Sequence, residues 1–146
     1  MAALTIDSTQ VAPDTGGDTY NGIVGTDAIT AGMSVYLNAD DSKLYPADAN
    51  ASVAAASAIG VALNDGTEGQ PCKVQRGGDV YLGAMANPTP GVVYVVGAAP
   101  GDIAPATDLT TGWYTTILGT GMNAGVANAH QYRLRLHVLA SRHLHA

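Results

Sequence analysis

Short apolar runs separated by turn-forming residues make up most of the chain after Ile23. The runs are rich in Val, Tyr and Thr, and Asn, Asp, Gly and Pro stand between them. This pattern is typical of β-strands joined by tight turns. The pattern predicts eight strands, at 34–38, 43–45, 58–64, 72–75, 79–83, 92–96, 113–118 and 130–140. Eight short strands at this spacing favour an all-β fold, a compact single-domain sandwich or barrel.

The last run shows the clearest alternation of apolar and polar residues. Successive side chains of a strand point to opposite faces, so one set is expected in the core and the other outside. A helix would scatter both sets around its axis. The expected inward set is Tyr132, Leu134, Leu136 and Val138, and the outward set is Gln131, Arg133, Arg135 and His137.

Three regions follow from the pattern. Residues 1–22 are rich in Thr, Asp and Gly and are predicted to form an extended N-terminal arm; residues 23–140 form the β-domain, and 141–146 a C-terminal tail. The helix candidate is 50–58, with Asp48 or Asn50 as its cap. A turn of helix and an irregular loop are equally compatible with this segment.

A faint internal repeat relates residues 29–80 to residues 88–138. The segment Gly32–Leu37 resembles Gly91–Val95, and further along the units Val80 matches Val138. The step in sequence from one member of a match to the other is nearly constant along the units. The repeat predicts two pseudo-equivalent halves within one β-domain.

Composition excludes several classes of protein. The chain has 146 residues, of which 12% are charged, and a net charge of −6. It is too apolar for a disordered protein, it has no run long enough to span a membrane, and it lacks the basic surface of a nucleic-acid binder. We therefore expect no nucleic-acid partner and no membrane partner. Cys72 is the single cysteine, so no disulfide forms within the chain.

Charge is unevenly distributed. All 12 acids lie before residue 131, whereas residues 131–146 hold three arginines and no acid. Arg133, Arg135 and His137 on the outward face of the last strand are the predicted subunit contact, and a solvated face is the alternative.

Candidate chemistry is sparse. Cys72 has no histidine near it in sequence, and a nucleophilic cysteine needs one as a partner. His143 and His145, with His130 or His137, form a possible metal site, but their spacing matches no known zinc pattern and a tail explains them as well. Turn formation accounts for Asp40 and Asp41. We expect no enzymatic activity, no cofactor and no metal.

A series of short motifs carries a family resemblance. ITAGMSVYL (29–37), LYPAD (44–48), AIGVALN (58–64), GQP (69–71), VQ (74–75) and GDV (78–80) occur in that order. They are followed by 91–94, 101–105, 116–119 and the alternating last strand. This order, over about residues 23–140, resembles the capsid decoration (cement) proteins of tailed bacteriophages.

The resemblance implies a small β-rich domain, usually a homotrimer, that binds the major capsid protein on the outer capsid surface of the virion. Such a protein is made in the host cytoplasm and stabilises the expanded shell by clamping neighbouring capsomers. The arm, through Thr5, Ile6 and Val11, is then expected to add a strand to a capsid subunit. The alternative is a head- or tail-fibre module that recognises a host-surface glycan, for which Trp113 and tyrosines in a cleft would be the signature.

Overall fold

Two antiparallel β-sheets form the body of the chain in the computed structural model, which describes residues 3–13, 18–83, 86, 88–123 and 132–144. The predicted all-β class is therefore confirmed. The strands are β1 Ala12–Pro13, β2 Thr19–Ile23, β3 Ser34–Leu37, β4 Leu44–Pro46, β5 Gly60–Ala62, β6 Pro71–Gln75, β7 Gly77–Tyr81, β8 Val93–Val96, β9 Ile103–Pro105, β10 Tyr114–Asn123 and β11 Tyr132–Leu144. A one-turn helix, α1 Val53–Ala56, lies between β4 and β5, and a 3-10 turn, Ala106–Asp108, follows β9. No helix in these described ranges is long and apolar enough to cross a membrane.

The described residues form eleven strands rather than about eight. Each of the eight predicted runs overlaps a strand, and the three additional strands are β1, β2 and β9. Strands β1 and β2 are short or polar and pair with strands distant in sequence, so local apolar content does not mark them. Strand β9 pairs with its neighbour β8, but it has only three residues and ends at a proline. Of the alternatives for 50–58, the structure has a single turn of helix. Its cap is Ser52, not Asp48 or Asn50, and the Ser52 hydroxyl oxygen accepts a hydrogen bond from the Ala55 N–H at 3.0 Å.

Both predicted boundaries of the β-domain fall inside strands. Residue 22 lies in β2, which pairs with β6 along its whole length. The C-terminal boundary at 140 lies in β11, whose backbone continues to Leu144 opposite Tyr114. The sheets therefore extend further toward both ends of the chain than the sequence pattern predicts.

The two sheets repeat one strand order. In the five-stranded sheet the order is β2-β6-β5-β3-β4, and in the six-stranded sheet β7-β11-β10-β8-β9 follows the same path, with β1 added beside β7. The pairing register repeats as well. Val35 lies opposite Pro46, and Tyr94 lies opposite Pro105, so the step in sequence from Val35 to Tyr94 equals the step from Pro46 to Pro105.

This correspondence divides the chain differently from the sequence repeat. Tyr20 faces Val74 in the first unit and Val80 faces Leu134 in the second, so Tyr20 and Val80 occupy equivalent register positions. Strand β7 therefore begins the second unit instead of ending the first, and the structural equivalent of Val80 is Tyr20 rather than Val138. Five strands, β2 to β6, form the first unit, and β7 to β11 form the second.

Two apolar clusters pack on opposite faces of the five-stranded sheet. The adjacent residues Val61 and Ala62 of β5 belong to different clusters, because successive side chains of a strand point to opposite faces. The central cluster joins the two sheets and includes Val61, Val80, Tyr94, Leu118, Leu134 and Leu136. The outer cluster consists of Val24, Ile29, Val35, Leu44, Ala62, Cys72 and Val74. Leu134 and Leu136 are buried and Arg135 and His137 are exposed, as the alternation in the last strand predicts.

Candidate functional site

The N-terminal arm is docked on the body of its own chain. The Leu4 N–H donates to the Ile103 carbonyl at 2.8 Å, and the Asp7 N–H donates to the Leu82 carbonyl at 3.1 Å. Ile6 and Val11, two of the three predicted contact residues, pack against the central cluster. These two side chains therefore contribute to the core of the monomer.

Thr5 is the one predicted contact residue of the arm with an exposed side chain. Ile6 also contacts the site of Gly32, where a Cβ would overlap the Ile6 side chain. Gly32 has a φ of 93°, which favours glycine for a second reason. The arm thus packs at a defined position on the body of the chain. Deletion of residues 1–22 would also remove β1 and most of β2.

The arginines on the outward face of β11 are held within the chain. Arg135 donates to both carboxylate oxygens of Asp79, from Nε to Oδ1 at 2.8 Å and from Nη2 to Oδ2 at 3.3 Å. Arg133 Nη1 lies 3.7 Å from Oδ2 of the same residue. The Asp79 side chain is 5% exposed, so one nearly buried carboxylate faces two guanidinium groups.

This cluster changes how the predicted contact face is interpreted. The hydrogen bond to Asp79 and the negative charge of the Asp79 carboxylate hold the pKa of Arg135 above its ordinary value. A guanidinium fixed in this way presents a defined geometry, with its side chain 46% exposed. His137 is exposed beyond the pair. The face therefore combines an internal ion pair with an exposed imidazole.

Asp79 is a partner that the sequence did not reveal, because it lies 56 residues from Arg135. Arg76, the cation nearest to Asp79 in sequence, pairs with Asp18 instead, with Nη2 to Oδ2 at 2.5 Å. The sequence did contain one signal of this pairing. Asp79 is the single acid in the apolar run DVYLG, and a charge buried there would need a partner.

The outer edge of β2 is the backbone edge that faces away from β6. The Arg76 N–H donates to the Asp18 carbonyl at 2.7 Å, and the Val24 N–H donates to the Gln70 carbonyl at 2.9 Å. Because hydrogen-bonded positions alternate along an antiparallel pair, the backbone groups of Thr19, Asn21 and Ile23 point outward. Strand β4 meets the far end of this edge, because Val24 forms a parallel bridge with Leu44 and the Gly25 N–H donates to the Leu44 carbonyl at 2.9 Å. Ile23 is 42% exposed there.

A cleft of about 430 Å³ lies beside two stacked tyrosines. The ring centroids of Tyr36 and Tyr45 are 5.8 Å apart and their planes meet at 28°. The Tyr45 hydroxyl donates to Asp41 Oδ2 at 2.5 Å, which raises the pKa of Tyr45 and lowers that of Asp41. Asp27 and Asp48 also line the cleft. The cleft therefore offers an aromatic ring beside carboxylate oxygens that accept hydrogen bonds.

Trp113 does not line this cleft. It is half-buried and packs against the central cluster. The pKa of Tyr36 is raised first by burial and then by the negative charges of Asp27 and Asp41. Of the signature expected for the glycan-binding alternative, the cleft thus has the tyrosines but not Trp113.

Within the part of the chain that the structure describes, the remaining sequence candidates do not come together as a reactive site. Cys72 is buried in the outer cluster, and burial raises the pKa of its thiol. Among the described residues, no three His, Cys, Asp or Glu side chains converge as metal ligands would. His130 and His145 lie outside the described residues, as does the side chain of His143.

Comparison of the chain with protein-family models, with curated protein sequences and with solved structures found no match.

Proposed function

We propose that the protein is a structural decoration protein that binds the outside of a bacteriophage capsid and stabilises the expanded shell. The proposal includes no catalysed reaction. Its partners are the major capsid protein and further copies of the same chain, as a homotrimer. Its location is the outer surface of the virion.

The observation that supports this proposal is the coincidence of the family-like motifs with the strands of the fold. The motifs at 29–37, 44–48 and 58–64 contain β3, β4 and β5, and those that follow overlap β6 to β11 in the same order. An all-β body built from these segments is what the resemblance implies. The motifs thus correspond to structural elements throughout both sheets.

The mechanism is stabilisation by binding. A ligand that binds the assembled, expanded shell and not its separated subunits shifts the equilibrium toward the shell by mass action. A trimer would attach at several points at once, which raises the effective concentration at each further contact. Among the described residues, exposed surfaces for such contacts include the face of β11 and the outer edge of β2 at Thr19 and Asn21.

A co-sedimentation experiment tests the proposal. The purified protein is mixed with expanded and with unexpanded heads of the phage that encodes it, and the bound fraction is measured. We expect saturable binding to expanded heads, and a higher temperature of head disruption when the protein is bound. Failure to bind either form, with no change in head stability, would contradict the proposal.

The tyrosine cleft favours a second candidate, a fibre module that recognises a host-surface glycan. An aromatic ring packs against the apolar face of a sugar, and carboxylates accept hydrogen bonds from its hydroxyl groups. On this alternative, Tyr36→Ala abolishes binding in a glycan screen, whereas Tyr132→Ala, a half-buried tyrosine outside the cleft, does not. A wild-type protein that binds no glycan in the screen would count against it.

A further inference from the structure

The tyrosine cleft carries negative charge beside its aromatic rings. Asp27 and Asp48 line it together with Tyr36 and Tyr45, and among the described residues no cationic side chain does so. Asp48 Oδ1 accepts a hydrogen bond from the Asn50 N–H at 3.1 Å. Asp27 is exposed, and its carboxylate has no hydrogen bond or ion pair to any other described residue. The cleft thus contains a carboxylate that is available to a ligand.

This charge acts on the ring of Tyr36. Burial is the largest cause of the raised pKa of Tyr36, and the negative charges of Asp27 and Asp41 raise it further. The pKa of Asp41 is lowered chiefly by the hydrogen bond from Tyr45 and to a smaller extent by the charge of Lys43, which does not line the cleft. The aromatic rings therefore lie in a negative field, which favours a positively charged ligand.

The other walls of the cleft are apolar. They include Met33, Pro46, Ala51 and Pro100. Apolar walls can contact the methylene stem of a long cationic side chain while its charged end lies against an aromatic ring and a carboxylate. Arginine matches this arrangement better than lysine, because the planar guanidinium stacks on an aromatic face and donates paired hydrogen bonds to a carboxylate. The chemistry of the cleft therefore fits an arginine side chain.

The described arginine side chains of this chain are already paired. Arg76 pairs with Asp18, and both Arg133 and Arg135 face Asp79. A second copy could offer one of these arginines only by breaking an ion pair of its own. The charges therefore favour an arginine from a different protein.

We propose that the tyrosine cleft binds the guanidinium group of an arginine side chain presented by another protein. In this arrangement the guanidinium stacks on Tyr36 and donates hydrogen bonds to the Asp27 carboxylate. The binding goes beyond the proposed function and requires no capsid, so the free protein is sufficient for the test. A neutral sugar would use the same rings but would gain nothing from the charge of Asp27, so the two occupants can be distinguished.

An NMR titration of the free protein tests the proposal. The probe is N-acetyl-L-arginine amide, and the control is N-acetyl-L-citrulline amide, which has nearly the same shape without the charge. We expect shifts at the amides of residues that line the cleft, such as Ala28, and at least about fivefold tighter binding of the arginine probe. Raising the salt concentration from about 0.05 M to about 0.5 M should weaken this binding at least about twofold, because salt screens exposed charges.

Two pairs of variants locate the binding. Asp27→Asn removes the charge but keeps a side chain that accepts hydrogen bonds, and Glu68→Gln, which alters an exposed acid outside the cleft, is its matched control. Asp27→Asn should bind the arginine probe at least about threefold more weakly than Glu68→Gln. Tyr36→Leu should bind it at least about fivefold more weakly than Tyr132→Leu, which alters a tyrosine outside the cleft.

Three results would overturn the inference. They are equal binding of the two probes, equal binding of the arginine probe by Asp27→Asn and Glu68→Gln, and no shift at the cleft amides at the highest soluble probe concentration. A neutral sugar that shifts the cleft amides, where the arginine probe does not, would also overturn it and would identify the glycan-binding alternative. None of these results bears on capsid binding, which the co-sedimentation experiment tests separately.

Discussion

Gly119 and Gly60 occupy equivalent positions in the two units, and both lie against the backbone of a neighbouring strand. A Cβ on Gly119 would overlap the carbonyl oxygen of Arg135 and lie 2.8 Å from its carbonyl carbon. A Cβ on Gly60 would overlap the carbonyl oxygen of Gln75 in the same way. These contacts involve backbone, which cannot turn aside as a side chain can. Gly119→Ala should therefore force β10 and β11 apart.

The expected cost follows from these contacts. Inserting a methyl group into a packed site costs roughly 1–3 kcal/mol, and each cross-strand hydrogen bond weakened by the separation adds about 1 kcal/mol. The lower entropy of alanine in the unfolded chain offsets roughly 0.4–1 kcal/mol. We expect a net loss of about 3 kcal/mol, a large share of the roughly 5–15 kcal/mol that stabilises an ordinary domain.

Thermal and urea unfolding, followed by circular dichroism, measure this loss. A domain of this size should lose about 6–12 °C in Tm for such a change. Gly77→Ala is the matched control, because the nearest atom to its added Cβ, the Asp18 nitrogen, is 3.9 Å away. A loss for Gly119→Ala within about 1 kcal/mol of that for Gly77→Ala would refute the reasoning from backbone overlap. Gly60→Ala should behave like Gly119→Ala.

Three further predictions concern the arm, a buried carboxylate and the assembly. Ile6→Ala should lower the free energy of unfolding in urea by about 2 kcal/mol, whereas Thr5→Ala, which alters an exposed side chain, should leave it unchanged. Equal effects of the two variants would show that the arm does not pack on the body as described. Burial, with the charge of Asp48, raises the pKa of Asp102 above 3.8, so its ionisation costs stability above that pH. Asp102→Asn should accordingly raise Tm at about pH 7 and not at about pH 3; the same shift at both pH values would contradict this sign. The native mass by light scattering should be near three times the 14.7 kDa of one chain, and a clean monomer would instead favour the glycan-binding alternative.

The strands that the sequence predicts are those whose own residues specify a buried face. In β11, Leu134 and Leu136 are buried and Arg135 is exposed, so the alternation alone indicates both the strand and its orientation. Strand β2 has no such pattern, because its inward positions include Gly22, which is a close neighbour of Leu44. Its pairing with β6 is a property of the assembled sheet, and no local signal reveals it.

The site residues could likewise be predicted only in part, because their partners lie far away in sequence. Arg133 and Arg135 were found by their placement on one face, yet their common partner Asp79 is distant in sequence. The sequence predicts Ile6 and Val11 as contacts for another protein. In the structure, both side chains pack against the central cluster of the same chain, whose residues only folding brings together.

The shared strand order of the two sheets indicates how the chain arose. Two consecutive units with one topology are what tandem duplication of a shorter gene leaves behind. A symmetric pair of separate half-length chains would have to keep both halves identical. Fusion removes that constraint, so Val35 of one half can correspond to Tyr94 of the other, and Gln75 to Arg135. Covalent linkage thus lets the two halves differ in sequence while both keep one strand order.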